Sequence, residues 1–356
     1  MMKKIFLVAM AIALLASCSK SDVEEVNNLP VSGEAVLSLN VATPKVSTKN
    51  EGPHNEDYSR LDAIRGLDIF VFKEDGSLDT YLKVPSNKTA IKDSLANIKI
   101  SVTPGVRSIY AVANSKVDNW QGVTTYEKFS KMSANLSNEN FDNFTMIGNV
   151  TQTIESSKNI TINLERLVAR VVVKSVATAF DKTPFDGYSL DFAKLYLVNV
   201  VGNKSFIGEE VLPKQILNYK EYKESDCQSL GMTACLYESI SNRIDDSNPY
   251  IHSHYFYCYA NTLQNETNSE RFTRLVLEAS INGKKYYYPI NINREGFGWN
   301  SSIDHKGIKN NTSYEFNIVI SRLGVDSPDK ALDLKSVTLS AVVDDWGRAS
   351  SFDLNF

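Results

Sequence analysis

The sequence predicts an all-β protein built from two tandem β-sandwich domains, with one short helix in the first. Three observations carry this. Short runs in which apolar and polar residues alternate recur along the chain. Turn signals separate them at intervals of about ten residues. Tyrosine and phenylalanine are abundant (17 and 16 of 356 residues), and β-branched residues fill the runs between turns.

Residues 1–18 read as a processing signal and stand outside the fold. Lys3 and Lys4 precede an apolar stretch over 5–16, too short to span a bilayer as a mature helix. It ends in Leu15-Ala16-Ser17-Cys18, which looks like a bacterial lipobox, with Cys18 as the lipidation site. A lipidated chain is held through buried CH₂ groups rather than a spanning helix. Residues 19–33 are polar and acidic and read as a flexible tether. Asp22, Glu24 and Glu25 there resemble the surface-export signal of Bacteroidetes lipoproteins.

The first domain is expected over 34–179. Its opening strand, 34–43, sets Ala35, Leu37, Leu39 and Val41 on one face. Residues 44–60, with Pro, Gly, His and charges, form an exposed loop. Strands follow over 67–72, 98–102, 108–114 and 160–164, with a short apolar segment at 144–148. Residues 124–132 carry the helix, capped by Thr124 or Thr125. A long β-branched strand over 167–176 closes the domain. Pro184 and Asp186-Gly187 mark the boundary at 180.

The second domain, 180–356, repeats the pattern. Strands are expected over 190–201, 250–259, 272–281, 286–292, 314–321, 337–343 and 351–356. Asn282-Gly283 is a hairpin signal. The last six residues place Phe352, Leu354 and Phe356 at spacing two, an apolar comb on a polar tail.

Net charge is −4 with a pI near 5.7, which points away from a nucleic-acid partner. After Cys18 three cysteines remain. Cys227 and Cys235 could close a short disulfide loop, and Cys258 makes the count odd. His252, His254 and Cys258 share one strand face but bring no carboxylate, so no metal is expected. Asp344-Asp345 and Glu24-Glu25 are adjacent and point apart, which excludes an acid/base couple. Asp326 and Asp329 flank Pro328 as turn formers. Trp346 is expected to seal a sandwich end. No nucleophile, phosphate-loop or zinc-protease motif is present, so neither an enzyme nor a cofactor is expected.

Four segments together resemble the FimA-type fimbrillins, subunit precursors of the type V pili of Bacteroidales. They are the lipobox with its acidic tether; GEAVLSLNVAT, followed by a loop with basic residues; LERLVARVVVKSV at mid-chain; and the C-terminal block. That block reads YYYPININ, then IKNNTSYEFNIVISRLGVDSPDKAL, then VTLSAVVDDW. The resemblance covers nearly the whole chain.

It implies transthyretin-like sandwiches and a maturation route. The precursor is exported as a lipoprotein to the outer membrane, surface-exposed. A trypsin-like protease cuts after a basic residue that follows the first strand. Lys49 best matches by position, with Lys45 and Arg60 as alternatives; familiar members have Arg there. Loss of the strand carrying Ala35, Leu37, Leu39 and Val41 opens a groove. The C-terminal strand of another copy, or of another fimbrial subunit, fills it, with Phe352, Leu354 and Phe356 as donor side chains. The product is an adhesive fimbria. A minor tip or anchor component is one alternative. Another is a glycan-binding lipoprotein that never polymerises, with Tyr255, Tyr257 and Tyr259 as its aromatic platform.

Overall fold

The computed structural model describes residues 35–44, 63–84, 94–140, 143–181, 184–208, 213–228, 237–332 and 337–346. The first half contributes β1 (Ala35–Ala42), β2 (Leu67–Lys73), β3 (Leu78–Val84), β4 (Ser94–Val102) and β5 (Gly105–Ala113). After helix α1 (Tyr126–Ser130) come β6 (Ser133–Asn135), β7 (Met146–Ile154), β8 (Lys158–Asn163) and β9 (Glu165–Arg166). The second half begins with β10 (Val168–Thr178), β11 (Asp191–Val198), β12 (Val200–Val201), β13 (Asn203–Ser205) and β14 (Ile216–Leu217). Helix α2 (Glu224–Gln228), β15 (Tyr237–Ser239), β16 (His254–Tyr259) and β17 (Arg274–Ile281) follow, then β18 (Lys284–Asn291), β19 (Thr312–Ile320) and β20 (Val337–Asp345).

In the first sandwich a three-stranded sheet, β4-β1-β8, faces a five-stranded one, β3-β2-β5-β7-β9. Alternation decides what lies between them. Leu37, Leu39 and Val41 of β1 are fully buried, and they share a core with Ile69, Val71, Ile109, Met146, Ile154, Ile160 and Ile162. The intervening Val36, Ser38 and Asn40 are only partly buried. On its other side the five-stranded sheet carries Phe70, Phe72 and Tyr110 against Trp120 and Phe129, the one buried residue of α1. The helix begins at Thr125, whose hydroxyl accepts from the Lys128 N–H at 3.2 Å.

The second sandwich pairs β16-β10-β19-β20 with β15-β11-β17-β18. The Asn282-Gly283 hairpin joins β17 to β18, with both turn residues at positive φ, +49° and +77°. The two halves share one continuous apolar cluster. β13 of the second half pairs with β6 of the first, and Phe206 packs on Trp120 and Phe129.

Several expectations change. The strand over 168–178, read as the end of the first domain, pairs with β16 and β19 of the second half. Sheet membership therefore switches between Arg166 and Val168, ahead of the loop at Pro184. Leu78–Val84 is a strand that the sequence reading left out. The apolar segment at 144–148 opens a strand that runs on to Ile154. In the stretch over 250–259 the strand begins only at His254, and Tyr250 makes a single bridge to Val176. The polar stretch over 225–248, where no element is expected, holds most of α2 together with β15.

Candidate functional site

β1 is the inner strand of its sheet, which is the geometry a removable strand needs. It runs antiparallel to β4, with Leu37 opposite Ile100 and Leu39 opposite Ile98. It runs parallel to β8, with Leu39 opposite Ile160 and Val41 opposite Ile162. Taking it away would leave two facing rows of unpaired backbone groups over an apolar floor. Each fully buried Leu or Val contributes about 1.5–3 kcal/mol to holding the strand in place.

One irregularity marks this slot. Between Leu39 and Val41 the pairing with β4 slips: Leu39 meets Ile98 but Val41 meets Leu95. Two β4 residues, Ala96 and Asn97, thus stand opposite Asn40, a β-bulge. Asn97 sits at φ +59°, and its N–H donates to the Asn40 side-chain oxygen at 3.1 Å.

Where β1 leaves its sheet it meets the end of β20. Arg166 is fully buried at that point. Its Nη1 donates to the Trp346 carbonyl at 2.8 Å and to Asn311 Oδ1 at 3.2 Å, while Nη2 reaches the Pro44 carbonyl at 3.4 Å. The guanidinium lies 4.5 Å from the centre of the Trp346 ring. That ring stacks on Tyr257 and meets Phe144 edge-on, and its backbone N–H donates to the Asn311 carbonyl. Asn311 holds φ at +53°, a conformation that Asn tolerates. Trp346 therefore seals the seam between the sandwiches. Arg166 of LERLVARVVVKSV, Asn311 of IKNNTSYEFNIVISRLGVDSPDKAL and Trp346 of VTLSAVVDDW, far apart in sequence, meet here.

The other C-terminal motifs also have a packing reason. Tyr287 exchanges backbone hydrogen bonds with Val325, and the Tyr288 hydroxyl donates to the Arg322 carbonyl. Gly324 lies so close to the Tyr287 carbonyl that a Cβ would stand 2.3 Å from it. Asp329 forms ion pairs with Arg271 and Arg274, so it is more than a turn former.

A second polar contact crosses the seam. Buried Glu139 accepts from the Thr145 N–H and the Tyr259 hydroxyl, each at 2.8 Å. Burial pushes its carboxyl above the usual range, and Lys116, also desolvated, is held below its own. No sequence pattern singled out Glu139.

The remaining sequence-predicted residues divide as follows. Ala35, Leu37, Leu39 and Val41 stand together as expected. Cys18, Lys45, Lys49, Arg60, Cys235, Phe352, Leu354 and Phe356 lie outside the described residues, as does the Cys227 side chain. Cys258 is a free buried thiol, and burial pushes it up to about 12, which leaves it unreactive. His254 is buried with Nδ1 3.3 Å from Glu238. The expected tyrosine platform does not form: Tyr257 and Tyr259 point into the core.

These features define a protein of two tandem β-sandwiches with a shared, sealed seam. Residues 35–174 match the family described as "Major fimbrial subunit protein (FimA)", which bears out the resemblance read from the sequence. The chain is 25% identical over 350 residues to the "Putative fimbrium tip subunit Fim1C" of Parabacteroides distasonis, covering 89% of this chain and 86% of that protein. Two solved structures share the fold. A fimbrilin (fimA) from Porphyromonas gingivalis superposes with a TM-score of 0.62 at 14% identity, over 88% of this chain and 99% of that one. A "putative cell adhesion protein" from Parabacteroides distasonis gives 0.65 at 19% identity, over 89% and 99%.

Proposed function

We propose that this chain is a structural subunit of a surface fimbria that polymerises by strand exchange. The observation that carries the reading is the inner position of β1, with an apolar face on the core and a partner strand on either side. The chain travels as a lipoprotein acylated at Cys18. A trypsin-like protease cuts after Lys49, or after Lys45 or Arg60, and the strand departs. The vacated slot takes Phe352, Leu354 and Phe356 of a neighbour. Backbone pairing and apolar burial drive assembly without catalysis, and the filament supports adhesion.

The test is to treat purified full-length protein with a trypsin-like protease and follow its size. Ladders or filaments should form only after cleavage within 45–62. If treated and untreated chains stay equally monomeric, the reading fails. The relative from Parabacteroides distasonis favours a second reading, in which this subunit occupies the fimbrium tip. Deleting residues 347–356 in cells separates the two: a stalk subunit loses its filament, whereas a tip subunit leaves stalk length unchanged.

A further inference from the structure

We infer that the tail enters the slot in one register and one direction, with Asn355 taking the place of Asn40 at the β-bulge. This rests on the strand-exchange reading and adds to it which residue goes where.

The first strand reads Ala35-Val36-Leu37-Ser38-Leu39-Asn40-Val41, and the tail reads Ser350-Ser351-Phe352-Asp353-Leu354-Asn355-Phe356. Laid in the same direction, Leu354 falls on Leu39 and Asn355 on Asn40. Phe352 and Phe356 fall on Leu37 and Val41, both inward. Ser350 falls on Ala35, small on small.

Three features of the slot favour this alignment. The exposed Asn97 N–H takes its acceptor from the strand in the slot, and Asn40 now supplies it at 3.1 Å. Asn355 offers the same carbonyl at the same step. Ser38 stands between Lys99 on β4 and Asn159 on β8, both exposed. There the tail brings Asp353 beside Lys99, which adds an opposite charge across the strands. The third feature is the bulge itself. Bulges belong to antiparallel pairs and are rare in parallel ones. A tail running as β1 runs stays antiparallel to β4 and keeps the bulge. A reversed tail with Phe356, Leu354 and Phe352 on Leu37, Leu39 and Val41 would pair parallel with β4 and set Asn355, not Asp353, against Lys99. The two phenylalanines exceed Leu37 and Val41 in volume, so the slot must widen at those positions.

Two experiments on the full chain test this. In the first, residues 35–41 are replaced by the seven side chains of 350–356, either in order or in reverse order, the latter keeping Asp353 at position 38 but setting Ser350 on buried Val41 and Ser351 on Asn40. The forward chain should melt within about 10 °C of the parent and the reversed chain far below it. The second needs no grafted strand. Full-length Lys99→Cys protein, nicked within 45–62, is oxidised with a peptide of residues 347–356 carrying either Asp353→Cys or Asn355→Cys. The Asp353→Cys peptide should form the disulfide and the Asn355→Cys peptide should not. An Asn355→Ala peptide should bind about fivefold more weakly than the parent peptide. If the reversed chain is the more stable, or the Asn355→Cys peptide cross-links instead, the register is overturned and strand exchange stands. If neither chain folds and neither peptide cross-links, the tail does not occupy the slot, and the exchange reading falls as well.

Discussion

β1 and β10 hold the same place in the two sandwiches. Each takes an inner position in its sheet, antiparallel to one neighbour and parallel to the other. They differ in how they are fastened. β10 is 11 residues long against 8 for β1. It lies in a four-stranded sheet that β20 extends, and Arg166, just ahead of it, and Arg170 within it both lie over the Trp346 ring. β1 has no strand beyond β8 in its sheet among the described residues. Its inward side chains and two ladders hold it, and the bulge contact fixes its register. One topology thus holds one strand anchored at its end and one held by its own sheet alone, the contrast on which the strand-exchange proposal rests.

Mutations can break or sharpen that contrast. The largest effect is expected at the anchor of the second sandwich. Trp346→Ala empties a box lined by Phe144, Tyr257, Arg166 and Arg170, and should cost about 3–5 kcal/mol in denaturant unfolding. A near-neutral result would mean that β10 and β20 are not secured there. Leu39→Ala should cost about 2–5 kcal/mol. An excess of peptide 347–356 should recover part of that loss by occupying the slot. The same peptide should do nothing for Val171→Ala in β10, and rescue of both would erase the distinction between the strands. Asn40→Ala, read by the urea midpoint, should cost about 1 kcal/mol by leaving the Asn97 N–H to water, and Asn40→Asp should cost less.

The smallest effect concerns the seam and depends on pH. Burial raises the Glu139 carboxyl, so the folded chain keeps this proton where the unfolded chain has lost it. The resulting stability is complete below the ordinary value of 4.5 and fades as pH rises through the raised folded value. Glu139→Gln removes that dependence. Relative to the parent, its melting temperature should therefore climb as pH rises from acid toward neutral.

How much of this was legible in the sequence depended on the range of the interaction. The Thr125-capped helix and the Asn282-Gly283 hairpin rest on neighbours within a few residues, and the first strand shows its alternation locally although its partners lie far along the chain. Leu78–Val84 escaped because Asp79, Thr80 and Lys83 blur its alternation, although pairing with β2 makes it a strand. The switch of sheets before Val168 was hidden for the opposite reason. A β-branched run looks the same whichever sheet it joins, and here the choice is made by pairing with Ser313–Ile320, far along the chain. Arg166 stands in the motif LERLVARVVVKSV, but its partners lie 145 and 180 residues away. The bulge could not be anticipated, since it exists only in the match between two strands.

The shared grip of Arg166 on Pro44 and Trp346 has a consequence for who can complement whom. It puts the root of the tail beside the far end of the slot, where β1 finishes. A tail travelling as β1 travels has to start at the other end, by Ala35. From Ala35 to Pro44 an extended strand covers roughly 30 Å, whereas the four steps from Trp346 to Ser350 stretch to about 14 Å at most. A subunit with Trp346 seated therefore cannot thread its own opening. In the proposed register, short reach and fixed polarity thus bar a subunit's own tail from the slot and call for that of a second molecule.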